Sequence, residues 1–228
     1  MQSILDFFLH LDSHLFTMIV DYGYWVYAIL FAIIFIETGL VILPFLPGDS
    51  LLFAAGTFCA GVTNASGETA SLNLWIILIL LFLAAVAGDS LNYYLGETVG
   101  LKILGWKFAG KPLVGKNNID KTSDFFNRHG PKAIIIARFV PIIRTFAPFV
   151  AGIGNMHYGK FIRFNIIGGA FWVMLLTFTG YFFGNLSFVK NNFEIVILGI
   201  VALSLIPVVL QIIKGKKNSN KTIPYTKR

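Results

Sequence analysis

Six apolar segments run through this chain, at about residues 24–43, 44–60, 72–95, 133–152, 166–184 and 194–213. A helix needs roughly 20 apolar residues to cross a bilayer, which makes these the candidate membrane segments. The composition agrees, with 56% hydrophobic and 13% charged residues and a mean hydropathy of +0.75, against roughly 25% charged in soluble domains. The reading is an all-α integral membrane protein. With no long polar stretch left over, residues 1–228 are expected to form a single membrane domain.

The net charge of +7 is not a nucleic-acid signal, because of where it sits. Lys102, Lys107, Lys111, Lys116, Lys121, Arg128 and Lys132 lie in one central polar loop, and Lys214, Lys216, Lys217, Lys221, Lys227 and Arg228 lie in the tail. Lys and Arg collect on the cytoplasmic side of membrane proteins, which places the loop 96–132 and the basic tail 214–228 inside. Three apolar segments separate them, and an odd number of crossings cannot return the chain to the same face. Segment 133–152 is therefore expected to dip in and return, since it holds Arg138, Arg144, Pro141 and Pro148. The following stretch "HYGKFIRF", with Lys160 and Arg163, then also falls inside.

The first half reads the same way. Residues 24–43 cross, residues 44–60 dip from the outside with breaks at Pro44, Pro47 and Gly48, and residues 72–95 cross back. About four transmembrane helices and two opposed re-entrant segments result, with a cytoplasmic N-terminus. Residues 1–23 show Asp6, His10 and His14 at four-residue intervals against apolar neighbours, the pattern of an amphipathic surface helix. They lack the basic start and small-residue cleavage site of a signal peptide. His10 and His14 have metal-ligand spacing but no third ligand nearby, and Cys59 is the sole cysteine, so neither a metal site nor an internal disulfide is expected. Nothing calls for a cofactor.

A faint internal repeat supports this scheme. Each half has a Pro-broken apolar segment ending in Ala-Gly, at Ala55-Gly56 and Ala151-Gly152, and then a helix ending in Gly-x-x-x-Gly, at "GETVG" and "GYFFG". Broken helices meeting near the midplane in an inverted repeat are a transporter architecture. The Gly-x-x-x-Gly pairs read as helix-packing motifs rather than ligand contacts.

Charged side chains at bilayer depth cost at least ~2.5 kcal/mol, which points to a use for Glu37 and Asp49 in the first half and Arg138 and Arg144 in the second. If the two dips face each other, two carboxylates meet two guanidiniums around one cavity. Structural ion pairs are one reading. The other is that the arginines bind an anionic group, phosphate suiting the planar guanidinium fork, while the acids carry protons and couple their protonation to anion binding. Asp89 is a possible further member, placed near a helix end by the span count. Lys190 and Glu194 read as interface charges, and Trp25, Trp75, Trp106 and Trp172 as lipid-facing or belt residues. The stretch "NNIDKTSDFFNRHG" suits a short amphipathic helix with Asn118 or Asp120 as cap.

The run "RFVPIIRTFAPFVAGIGNMHYGKFIRFNIIGGAFW", together with Glu37, "PFLPGDSLLFAAG" and "GDSLNYYLGETVG", resembles the DedA family, whose eukaryotic relatives share the VTT or SNARE-associated domain. The resemblance covers about residues 24–184; the family often has Glu where Asp49 stands. It implies a polytopic bacterial inner-membrane protein with two opposed re-entrant helices, associated with proton-motive force and with returning undecaprenyl phosphate across the membrane. By position, Glu37, Asp49, Arg138 and Arg144 match the family's functional charges. The resulting expectation is a flippase of an anionic lipid carrier, with Arg138 and Arg144 binding substrate and Glu37 and Asp49 coupling to protons. The alternatives are a proton-coupled antiporter of small ions or drugs, a general phospholipid scramblase, or a scaffold. His129 and His157 do not complete a phosphoenzyme-forming array, so an enzyme is not expected.

Overall fold

The computed structural model describes residues 11–40, 48–63, 67–105, 107–108, 111–112, 116–184, 186 and 199. The segment 194–213, the tail 214–228, Pro44, Pro47, Trp106, Lys190 and Glu194 lie outside them, Gly199 excepted.

The first helices are α1 (Leu11–Tyr22), α2 (Trp25–Gly39) and α3 (Gly48–Cys59). Gly23, at φ +51°, makes the turn from α1 to α2 in a backbone region that suits glycine. Leu15 is buried, and Phe16, Met18 and Ile19 pack against the core, so the described part of the expected surface helix docks on the bundle. A short antiparallel hairpin, β1 (Val62–Thr63) with β2 (Thr69–Ala70), follows α3.

Helix α4 (Leu74–Gly105) is 32 residues long. Asn73 starts it, its Oδ1 accepting from the backbone N–H groups of Trp75 and Ile76 at 3.0 and 3.2 Å, an N-cap arrangement. The N–H of Asn73 donates to the Tyr27 hydroxyl at 2.8 Å and so fixes the start of α4 against α2. A second hairpin, β3 (Lys107–Phe108) with β4 (Lys111–Pro112), leads to α5 (Lys116–His129). The hairpin is structure that the loop's composition did not announce, whereas α5 is the short helix expected over "NNIDKTSDFFNRHG". Because α5 begins at Lys116, Asn118 and Asp120 stand inside it rather than capping it.

A 3-10 turn, Gly130–Lys132, precedes α6 (Ala133–Ala137), α7 (Pro141–Ile153) and α8 (Tyr158–Phe183). The break between α6 and α7 has a clear cause. Pro141 disfavours helical geometry at the residue before it, and Val140 is extended at φ −119°, ψ 101°. Pro148 behaves differently from expectation. It lies within α7, where it only withholds an N–H from the carbonyl of Arg144, and the helix runs through it. Gly48 is the first residue of α3, at the helix boundary where a break was expected.

Among the described residues two helices are long and apolar enough to cross a membrane, Leu74–Gly100 with 27 residues and Tyr158–Phe183 with 26. At 1.5 Å rise per residue each spans roughly 40 Å, whereas α3 and α7 reach only about 18 to 20 Å of a ~30 Å hydrocarbon core. Trp75, Ile79, Phe171 and Met174 are all at least half exposed, forming an apolar outer surface of the kind that faces lipid. The molecule is an all-α membrane protein with at least two long apolar helices and several shorter ones.

The two halves pack crosswise. Helix α3 of the first half lies on α8 of the second, and α7 of the second lies on α4 of the first. Matching glycines permit both contacts. A Cβ added at Gly56 would stand 2.1 Å from the Thr177 carbonyl oxygen, and one at Gly180 1.9 Å from that of Phe53. The counterparts are Gly152, whose added Cβ would meet the Tyr93 carbonyl at 2.2 Å, and Gly96, whose Cβ would meet that of Phe149 at 2.1 Å. Gly100 and Gly184 complete the two Gly-x-x-x-Gly pairs against Ile153 and Thr57. These motifs are packing surfaces, as expected.

Candidate functional site

Crosswise packing brings the first turn of α3 to the first turns of α7 in the middle of the bundle. Asp49 lies in the first turn of α3, where the positive end of the helix dipole favours an acid. Arg144 lies near the start of α7, and its Nη1 donates to Asp49 Oδ1 at 2.6 Å while its Nη2 donates to Glu37 Oε1 at 2.5 Å. Glu37 is 2% exposed near the C-terminal end of α2, an unfavourable place for a negative charge without a cation. Gly48 lets the chain come this close: a Cβ there would sit 1.8 Å from Glu37 Oε2.

Arg138 makes a second cluster at the end of α6. Its Nη2 donates to Asp89 Oδ2 and to Asn165 Oδ1, each at 2.5 Å, and Asn165 in turn donates to the Val86 carbonyl at 3.2 Å. Gly168 and Gly169 of α8 leave the slot in which the guanidinium lies; added Cβ atoms would be 3.2 and 3.3 Å from Arg138 Cδ and Nη2. Every acid in these pairs comes from the first half and every arginine from the second, as the charge distribution suggested. The partnering is different. Both carboxylates expected at a shared pair of arginines go to Arg144, and Asp89 takes Arg138.

Asp89 is also not a helix-end residue. The span count stopped at residue 95, but α4 continues to Gly105, which leaves Asp89 buried in mid-helix.

Trp172 corrects a third reading. Instead of facing lipid it is 2% exposed, and its Nε1–H donates to Asp49 Oδ1 at 2.9 Å. The guanidinium carbons of Arg144 and Arg138 lie 5.0 and 5.8 Å from its ring centroid, both within cation–π range. One indole therefore touches both clusters. Sequence reasoning missed it because a Trp in an apolar helix looks the same whether it faces lipid or a buried charge. Trp25 and Trp75 are exposed, as a belt residue should be.

Asn92 and Thr38 were missed as well. The Asn92 amide donates to the carbonyls of Thr38 at 3.2 Å and Thr145 at 2.9 Å, which joins α2, α4 and α7 beside the Arg144 cluster. On α8, the side chain of His157 accepts from the N–H of Gly159 at 3.1 Å and caps the helix. Among the described residues no group of three or more His, Cys, Asp and Glu is placed to hold a metal ion; His10 and the side chain of His14 lie outside them.

Chemically, Arg144 with Glu37 and Asp49 is a cation sharing its fork between two anions, one carboxylate in excess. Arg138 with Asp89 is a closed, charge-balanced pair with an amide at its side.

Comparison with known proteins follows the same boundaries. The VTT domain matches residues 23–182. The chain is 48% identical over 214 residues to Protein DedA of Escherichia coli (strain K12), covering 94% of each chain. It is 36% identical over 190 residues to an uncharacterized membrane protein of Mycobacterium leprae (strain TN), covering 83% of this chain and 81% of the relative. With the inner membrane protein YqjA of Escherichia coli (strain K12) it shares 32% identity over 187 residues, 81% of this chain and 78% of the relative. No solved structure matches the chain at a significant level.

Proposed function

The chain belongs to the DedA/VTT family of membrane proteins, and from that premise we propose that it is a flippase of an anionic lipid carrier, undecaprenyl phosphate, driven by the proton-motive force. Family membership supports a multi-pass protein of the bacterial inner membrane with a transport-type role and not an enzyme. The substrate and the coupling are our reading of the site.

One observation carries it: Arg144 is gripped by Glu37 and Asp49 from the opposite half. A phosphate offers the guanidinium fork the same pair of acceptor oxygens as these carboxylates and can replace them. A carboxylate that loses its cation inside the protein is costly as an anion, so the displaced acids take up protons. The site's excess carboxylate makes that exchange easier to balance. The converging first turns of α3 and α7 add to the case, since half-helix N-termini in transporters face anionic groups. In this reading α3 and α7 are re-entrant segments entering from opposite faces, with four crossing helices around them in an inverted repeat, all in a single membrane domain of residues 1–228 with a cytoplasmic C-terminus. The short lengths and crosswise packing of α3 and α7 support it. Arg144 is the substrate-binding residue, Glu37 and Asp49 are the proton-coupling residues, and Arg138, held by Asp89, positions the break beside them.

The test is movement of undecaprenyl phosphate between leaflets of proteoliposomes, with and without a pH gradient, for the native protein, Glu37→Gln and Arg144→Ala. Gradient-dependent movement lost in both variants is expected. A folded native protein that moves no lipid phosphate would overturn the reading.

A further inference from the structure

Away from the central charges, a groove of about 920 Å³ opens between α5, the end of α7 and the start of α8. Phe126, Val150 and Met156 give it an apolar wall, and Lys160, Arg163 and Ile167 line its α8 side. Among the described residues no Asp or Glu lines it, and neither Lys160 nor Arg163 has a carboxylate partner. The first turn of α8 holds no acid either. Lys160 thus sits in the first turn of α8, at the positive end of its dipole, with Arg163 in the next turn, an arrangement that favours an anion beside them.

The face of α8 that leads away from the groove shows what kind of anion fits. Lys160, Arg163, Phe164, Ile167 and Phe171 recur at three- and four-residue intervals, so they share one face of the helix. Ile167 and Phe171 are more than half exposed. From Lys160 to Phe171 the helix rises roughly 16 Å, about half of the hydrocarbon core of a bilayer. The cations are at the end of α8 that faces α5 of the basic loop, and the apolar residues follow them along the helix.

We propose that this groove is a binding site for an anionic phospholipid of the surrounding leaflet, with its phosphate between Lys160 and Arg163 and an acyl chain along Phe164, Ile167 and Phe171. The site contains none of the central charged residues, so it stands or falls independently of the transport reading.

The proposal is tested by electron paramagnetic resonance on the full chain in phosphatidylcholine vesicles carrying trace spin-labelled phosphatidylglycerol or spin-labelled phosphatidylcholine. The native protein should immobilise the anionic label with a preference on the order of tenfold, given the attraction of basic side chains for anionic lipid. Lys160→Gln with Arg163→Gln should bring that preference close to one, and Arg144→Ala should leave it in place. Both substitutions in the double variant are at exposed positions, and its thermal melt should match the native one. Equal immobilisation of the two labels by the native protein, or a preference that survives the double variant, would overturn the proposal. So would loss of preference in Arg144→Ala, which would move the lipid to the central site, or displacement of the label by millimolar inorganic phosphate, which would mark a site for a free anion.

Discussion

Arg138 and Arg144 flank the same proline-induced break and share one indole ring, yet they are built into different surroundings. The side chain of Arg138 is 3% exposed and that of its partner Asp89 7%, whereas Arg144 is 12% exposed and Asp49 21%. Arg138 has one carboxylate, one amide and a glycine-lined slot; Arg144 has two carboxylates from two different helices. A sealed, balanced pair is suited to holding helices in register. A pair with an extra acid and partial access is suited to exchanging partners. In the proposed reading the two arginines of one short motif divide between anchoring and binding.

The sharpest test of that division is to remove each cation in turn. Arg138→Ala leaves Asp89 as an unpaired buried charge and should cost ~3–5 kcal/mol, read as a large fall in melting temperature of the purified protein. Adding Asp89→Asn should recover part of the loss. Arg144→Ala leaves Glu37 and Asp49 without their cation, but in the proposed exchange both acids take up protons, so it should lower stability by less while abolishing lipid movement. Equal destabilisation by the two variants would break the comparison.

A smaller effect is expected from the glycines that join the halves. Gly56→Ala and Gly152→Ala each press a methyl group against a backbone carbonyl, which should cost about 1–3 kcal/mol, and their crosswise equivalence predicts similar losses in a denaturant or thermal melt. A markedly larger loss at one would show that the halves are not equivalent supports.

The smallest effect is expected at Trp172. Trp172→Phe keeps an aromatic face for both arginines but removes the hydrogen bond to Asp49, for a loss of about 1 kcal/mol. Lipid movement should fall while the melting temperature changes little. Unchanged movement would remove Trp172 from the site.

Much of the site was legible because charges are scarce in an apolar chain. Glu37, Asp49, Arg138 and Arg144 stand out at bilayer depth, and the prohibitive cost of leaving them unpaired points to their meeting. Asp89 was legible as a charge but misplaced, since composition does not show that α4 continues past the apolar run to Gly105. Trp172, Asn165 and Asn92 carry no comparable signal. Their partners are backbone carbonyls and charges on other helices, and only packing identifies them.

The sequence by itself determined that the chain lives in a membrane, that Pro141 breaks a helix and that small residues pair its halves. These follow from local chemistry: burial of apolar surface, the cost of charge in lipid and the missing N–H of proline. Which carboxylate takes which arginine was decided only by the crosswise packing of α3 on α8 and α7 on α4. Electrostatic attraction is satisfied by any nearby acid, and shape chooses among them.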